Sequence, residues 1–152
     1  MSLQSVRAYF ERHQADVPII ETPEITATVA LAAQAHGVTP GRIAKTLAFR
    51  LKDERVILLV AAGDARIDNA GFKAAFGKGK MLGAHEVETL TGHPVGGVCP
   101  FGLANPLPVY LDHSLHAFDE VLPAAGSVNS AVRISPALMA QVTGGVWVDA
   151  CR

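Results

Sequence analysis

Apolar positions change their period several times along this chain, and each change marks a new element. Near the start, Val6, Tyr9, Phe10 and His13 recur at three- and four-residue spacing. That spacing predicts a helix over roughly Ser2 to His13, capped by Ser2. Val17 to Glu21 reads as a short extended piece. Thr28 to His36 is alanine-rich and closes on Gly37, the residue type that best ends a helix. Thr39-Pro40-Gly41 opens the next element, with a cap followed by a proline at the first helical position. Thr46 to Leu51 then reads as a strand and Lys52 to Arg55 as a charged turn. Val56 to Ala62 is an unbroken apolar run of strand length, which implies burial on both faces. These two strands and their short turn form a hairpin.

The second half alternates in the same way. Asp68 or Asn69 caps a helix through Ala70, Phe72, Ala75 and Phe76, ended by Gly77. A further helix spans His85 to Leu90 and stops at Gly92, and Val95 to Val98 extends beyond it. Val109 to Asp112 is a strand, Ser114 to Phe118 a short helix, and Glu120 to Pro123 extended. Ala125-Gly126-Ser127 is a turn, Ala131 to Ile134 a strand, Pro136 to Val142 a helix and Gly145 to Asp149 a last strand. No repeat or linker divides the 152 residues, so the expectation is one domain over 1–152. Its class is α+β: a mixed, largely antiparallel sheet flanked by helices.

Composition narrows the function classes. Hydrophobic residues make up 49% and charged residues 18%, with no apolar run near the ~20 residues a bilayer demands. No signal-peptide pattern opens the chain, which makes a cytoplasmic location the default expectation, with no membrane partner. Cys99 and Cys151 form neither a CxxC pair nor a disulfide framework. The net charge of −1 carries no global nucleic-acid signature. Locally, Lys73, Lys78 and Lys80 stand close together with no acid between them. Such a group is either a solvated face or a patch that meets phosphates.

The most unusual stretch is Gly96-Gly97-Val98-Cys99-Pro100-Phe101-Gly102-Leu103. Glycine permits backbone angles and close approaches that a Cβ forbids, and Pro100 fixes its own φ and removes a donor. A segment so stripped is suited to holding a ligand against the main chain, or to making a bulge or tight turn.

Three pieces then line up in order: Ile43-Ala44-Lys45-Thr46-Leu47, the Gly96–Gly102 segment, and Ala125-Gly126-Ser127. Together they resemble the YbaK-like family of aminoacyl-tRNA editing domains, over about Ile20 to Val148. The resemblance implies a partly closed mixed sheet flanked by helices. It implies a deacylase that hydrolyses the ester joining a wrong amino acid to a tRNA, most often the tRNA for proline. The partners would be aminoacyl-tRNA and prolyl-tRNA synthetase. No metal and no cofactor is expected, because an activated ester needs only a held water, a positioned carbonyl and an oxyanion stabiliser.

Lys45 matches the family's characteristic lysine, a cation to bind a terminal phosphate or ribose. Gly97 is the second catalytic candidate, through its backbone groups. Gly96, Val98, Pro100, Phe101 and Gly102 from the same loop are expected at the substrate, with Thr46, Gly126, Ser127 and Asn129. Asn129 stands where some relatives carry a polar residue or histidine. Lys73, Lys78 and Lys80 are candidate tRNA contacts. The rival readings are a non-catalytic module that binds aminoacyl-tRNA or a synthetase, a thiol nucleophile at Cys99, and a metal site on His113 and His116.

Overall fold

The computed structural model describes residues 2–152. Its centre is a hairpin of β2 (Ile43–Leu51) and β3 (Val56–Ala62), paired antiparallel from Ala44 opposite Ala62 to Arg50 opposite Val56. The turn closes where Glu54 takes a left-handed φ of 72° and the Leu51 N–H donates to the Arg55 carbonyl at 2.8 Å. Ile57 through Ala61 are wholly buried, as their unbroken apolar pattern requires.

On the free side of β3 lies β5 (Val109–Asp112), then β8 (Val146–Val148), each added parallel. The other side of β2 is shared. β4 (Gly79–Met81) pairs antiparallel with residues 49–51, and β6 (Leu122–Pro123) pairs parallel with residues 43 and 44. A separate two-stranded sheet joins β1 (Ile19–Glu21) to β7 (Ser130–Val132). The sheet is mixed, as expected, but it is open between β4 and β8 rather than partly closed. Antiparallel pairing joins three of the six strand pairs and most of the paired residues, as expected, while β5, β6 and β8 add parallel because they follow crossover segments and not tight turns.

Helices cover both faces. α3 (Asn69–Phe76) packs Phe72 against Phe49, ring centroids 4.7 Å apart, on the side of Ile57 and Leu59. The Asp68 carboxylate caps it by accepting from the Gly71 N–H. On the Leu58 and Val60 side, α1 (Ser2–Arg12) and α5 (Pro136–Thr143) bury Val6, Phe10, Met139 and Val142 in the larger core. The Tyr9 hydroxyl ties them by donating to the Val142 carbonyl at 2.6 Å. α2 (Val29–His36) ends on Gly37 and α4 (Ala84–Thr91) on Gly92, both as expected, while Thr28 caps α2 instead of opening it. Two short 3₁₀ turns, Pro40–Arg42 and His113–Ala117, complete the set.

Three local expectations change. Residues 95–98 are not extended: Gly96 has φ 91° and the Gly97 N–H donates back to the Pro94 carbonyl, making a turn. β4 was not expected, since its Gly-Lys-Met sequence is exposed and lacks a strand pattern; the edge of β2 recruits it. Phe101, expected at the substrate, is a core residue with no exposure, 4.6 Å from Phe10 centroid to centroid. Phe101→Ala is therefore expected to lower stability by about 3–5 kcal/mol in denaturant titration, the cost of a large vacated core site.

Candidate functional site

Between β4 and β6 the outer edge of β2 is unpaired. The Ala48 carbonyl still accepts from the Leu82 N–H at 3.0 Å, so residue 48 points its main-chain groups outward. The strand stays in register with β3 from 44 to 50, so alternation turns the N–H and C=O of Thr46 outward too. A cavity of about 330 Å³ opens over this gap. Its floor is residues 43–48 of β2, and its walls come from α2, the segment after β4, α4, Val95, Gly96, Val98, β6 and Ser130. The walls are mostly apolar, with Thr26, Thr28, His36, Lys45, Thr46 and Ser130 as the polar side chains. Among the described residues no carboxylate lines it.

Strand alternation separates Lys45 from Thr46. Lys45 lies opposite Ala61, and Thr46 opposite Val60. The Lys45 ammonium donates to the carbonyl of Gly63 at 3.3 Å and, more closely, to that of Ala65. An ammonium has three protons, so one remains for a ligand. The loop that receives it is tight: a Cβ on Gly63 would stand 2.1 Å from the Pro40 carbonyl.

Four of the candidate residues line this cavity: Lys45, Thr46, Gly96 and Val98. The others lie outside its lining, for stated reasons. Gly97 spends both backbone groups internally, donating to Pro94 and accepting from the Gly126 N–H at 3.0 Å. A Cβ on Gly97 would meet Ser127 N at 2.8 Å and Gly126 C at 2.9 Å. Gly126 in turn lies against Ser2, and Gly102, with φ 59°, against Ser5 and Val6. Pro100 is buried beside them. The glycines thus let backbone approach backbone, where the sequence suggested backbone against ligand. Ser127 bonds Asn129 Oδ1 and Ser130 Oγ, and the Asn129 amide donates to the Thr22 carbonyl, so both hold the β1–β7 corner. The sequence reading passed over Thr26, Thr28, His36 and Ser130, which reach the cavity from the two ends of α2, the segment before it and β7, with no shared motif.

Beneath the glycine segment His93 is wholly buried. Its Nε2 donates to the Phe101 carbonyl at 2.6 Å, leaving Nδ1 to accept from the Ser2 hydroxyl. Cys99 lies 3.5 Å from that Nε2, and burial pushes its thiol up to about 12. A thiol so strongly protonated is no nucleophile at neutral pH. His113 and His116 stack on Trp147, and no described group of three ligating side chains assembles around them.

A second cleft, of about 590 Å³, adjoins the cavity and shares Met81 and Leu82 with it. Arg50, Lys52, Lys78 and Lys80 line it with Glu54 and Glu86. Arg50 is bridged to both acids, whereas no described carboxylate pairs with Lys52, Lys73, Lys78 or Lys80. Lys73 lies on α3, in a smaller groove with Lys78.

Comparison with known proteins adds to this geometry. Residues 23–141 match the family model described as aminoacyl-tRNA editing domain. The chain is 47% identical over 154 residues to the uncharacterized protein YwhH of Bacillus subtilis strain 168, covering 100% of this chain and 98% of that one. A solved structure of a candidate trans-editing enzyme for prolyl tRNA synthetase superposes with a TM-score of 0.89 at 32% identity, covering 99% and 97% of the two chains. A solved hypothetical protein gives 0.90 at 30% identity over 97% and 99%.

The interlocked backbones give a direct test. Gly97→Ala sets a methyl group against main chain that cannot turn aside, and is expected to cost about 1–3 kcal/mol of stability, read as a lower denaturation midpoint.

Proposed function

The chain belongs to the family of aminoacyl-tRNA editing domains, and we propose that it is a hydrolase that frees mischarged tRNA of a small non-cognate amino acid. The observation that carries this reading is the divided edge of β2. It places a free backbone amide, a half-buried lysine and an amino-acid-sized cavity within one strand. The tRNA for proline is the proposed carrier, and cytoplasm the proposed place of action.

In this reading the aminoacyl group enters the cavity and its ester lies along the open edge. Water attacks the ester carbonyl carbon; the carbonyl oxygen gains the negative charge, and the Thr46 N–H is placed to donate to it. Collapse of the intermediate breaks the bond to the ribose oxygen, which leaves as a hydroxyl after taking a proton. A neighbouring ribose hydroxyl or a second water takes the proton that the attacking water loses and passes one to that oxygen. The remaining Lys45 proton binds the terminal phosphate or ribose and fixes the ester against the strand. Gly96 and Val98 close the wall. Gly97, Gly126, Ser127 and Asn129 hold the two loops that shape it and do not themselves touch substrate.

Beyond the 3′ end the polyanion crosses the basic cleft. Lys78 and Lys80 are proposed to meet its phosphates, with Lys73 further out, giving affinity without base reading.

Lys45→Ala is expected to fold as the wild type does and to lose at least about 100-fold in kcat/KM for deacylation. Full activity would remove Lys45 from the site. A wild type that binds aminoacyl-tRNA tightly but turns over less than one equivalent would make the domain a binding module. Lys78→Ala with Lys80→Ala is expected to raise KM at low salt and leave kcat within about twofold. The slope of log affinity against log salt should fall by about 1 for each lysine removed.

A further inference from the structure

Among the described residues, two buried side-chain polar atoms lack a hydrogen-bond partner: His36 Nε2 and Thr46 Oγ1. Both residues line the same cavity, His36 from the end of α2 and Thr46 from the open edge of β2. Leaving one such group unpaired costs about 1–3 kcal/mol, so folded proteins pair nearly all of them. That both exceptions fall in one cavity points to a partner that arrives with the ligand.

The chemistry around them restricts that partner. Burial and the nearby Arg133 hold the His36 imidazole below its ordinary pKa, opposed by Glu24, so it is neutral at pH 7. A neutral imidazole nitrogen and a hydroxyl both bond best to a group that donates and accepts. The lining offers no carboxylate to a cation, and its other polar side chains are hydroxyls and Lys45. A thiol is a weak partner and a methyl is none.

We propose that His36 is a specificity-determining residue that, with Thr46, reads a hydroxyl on the side chain of the bound aminoacyl group. The substrate class is then a hydroxyl-bearing small amino acid, serine or threonine, in preference to alanine or cysteine. The inference rests on the reading of the cavity as the aminoacyl site. Nothing in the sequence marks His36, which looks like the last residue of an alanine-rich helix.

The test separates binding from turnover. Adenosine analogues carrying serine or alanine on a 3′-amide in place of the ester cannot be hydrolysed, and calorimetry gives their affinities. The wild type is expected to bind the seryl analogue at least about tenfold tighter than the alanyl one. H36L should bring that ratio within about twofold, chiefly by weakening the seryl analogue, and H36Q, which keeps a polar atom near the Nε2 position, should restore most of it. T46V should lower the ratio as well, and carries the test if H36L fails to fold. Equal binding of the two analogues by the wild type, binding of neither, or an unaltered ratio in H36L overturns the proposal. Hydrolysis of the corresponding esters is measured separately. Its absence would refute the hydrolase reading, while the binding ratio would still decide the role of His36.

Discussion

A strand can pair along both of its edges, and β2 uses only one of them in full. Its inner edge is filled by β3 over seven residue pairs. Its outer edge is taken at one end by β4 and at the other by β6, which approach from different parts of the chain and leave the middle bare. The cavity, the outward amide of Thr46 and the separation of Lys45 from Thr46 all follow from that gap. An unpaired edge in a protein interior is costly unless something completes it. Here a cleft of ligand size lies against it.

The rest of the molecule keeps that gap from closing. The glycine-rich segment is fastened from several sides at once: Gly96 on Ala27, Gly97 on Gly126 and Ser127, and Gly102 on α1. Below it the buried imidazole of His93 joins the Phe101 carbonyl to Ser2. Each contact is main chain on main chain or a short polar tie, so the wall containing Gly96 and Val98 cannot slump onto β2 to satisfy its edge. Rigidity on one side of the cavity preserves unsatisfied groups on the other.

Local signals in the sequence were enough for most elements. The cap at Asp68, stops at Gly37, Gly77 and Gly92, and the apolar run 56–62 act within a few residues and appear where they were read. β4 was illegible because its reason is tertiary: a Gly-Lys-Met stretch becomes a strand only beside the outer edge of β2. The site divides in the same way. Lys45, Thr46, Gly96 and Val98 could be found because two contiguous motifs carry them. Pro100, Phe101 and Gly102 were drawn in by their neighbours, though Phe101 and Gly102 pack on α1 and Pro100 is buried. Thr26, His36 and Ser130 belong to no motif, and only the fold gathers them.

Among the described residues Asp112 has no cation for a partner. Burial alone would raise its pKa, but the Ser114 hydroxyl together with the N–H donors of Ser114, Ala150 and Cys151 outweighs it and holds the carboxylate ionised. The segment at Ala150 and Cys151 is thus fastened by local dipoles inside the protein, where mobile ions scarcely reach. The lysines of the outer cleft lie in open solvent, where mobile ions screen them within about a nanometre. Ionic strength therefore acts on the two ends of this molecule's electrostatics unequally: it can loosen the hold on a polyanion while the fold beneath stays fastened.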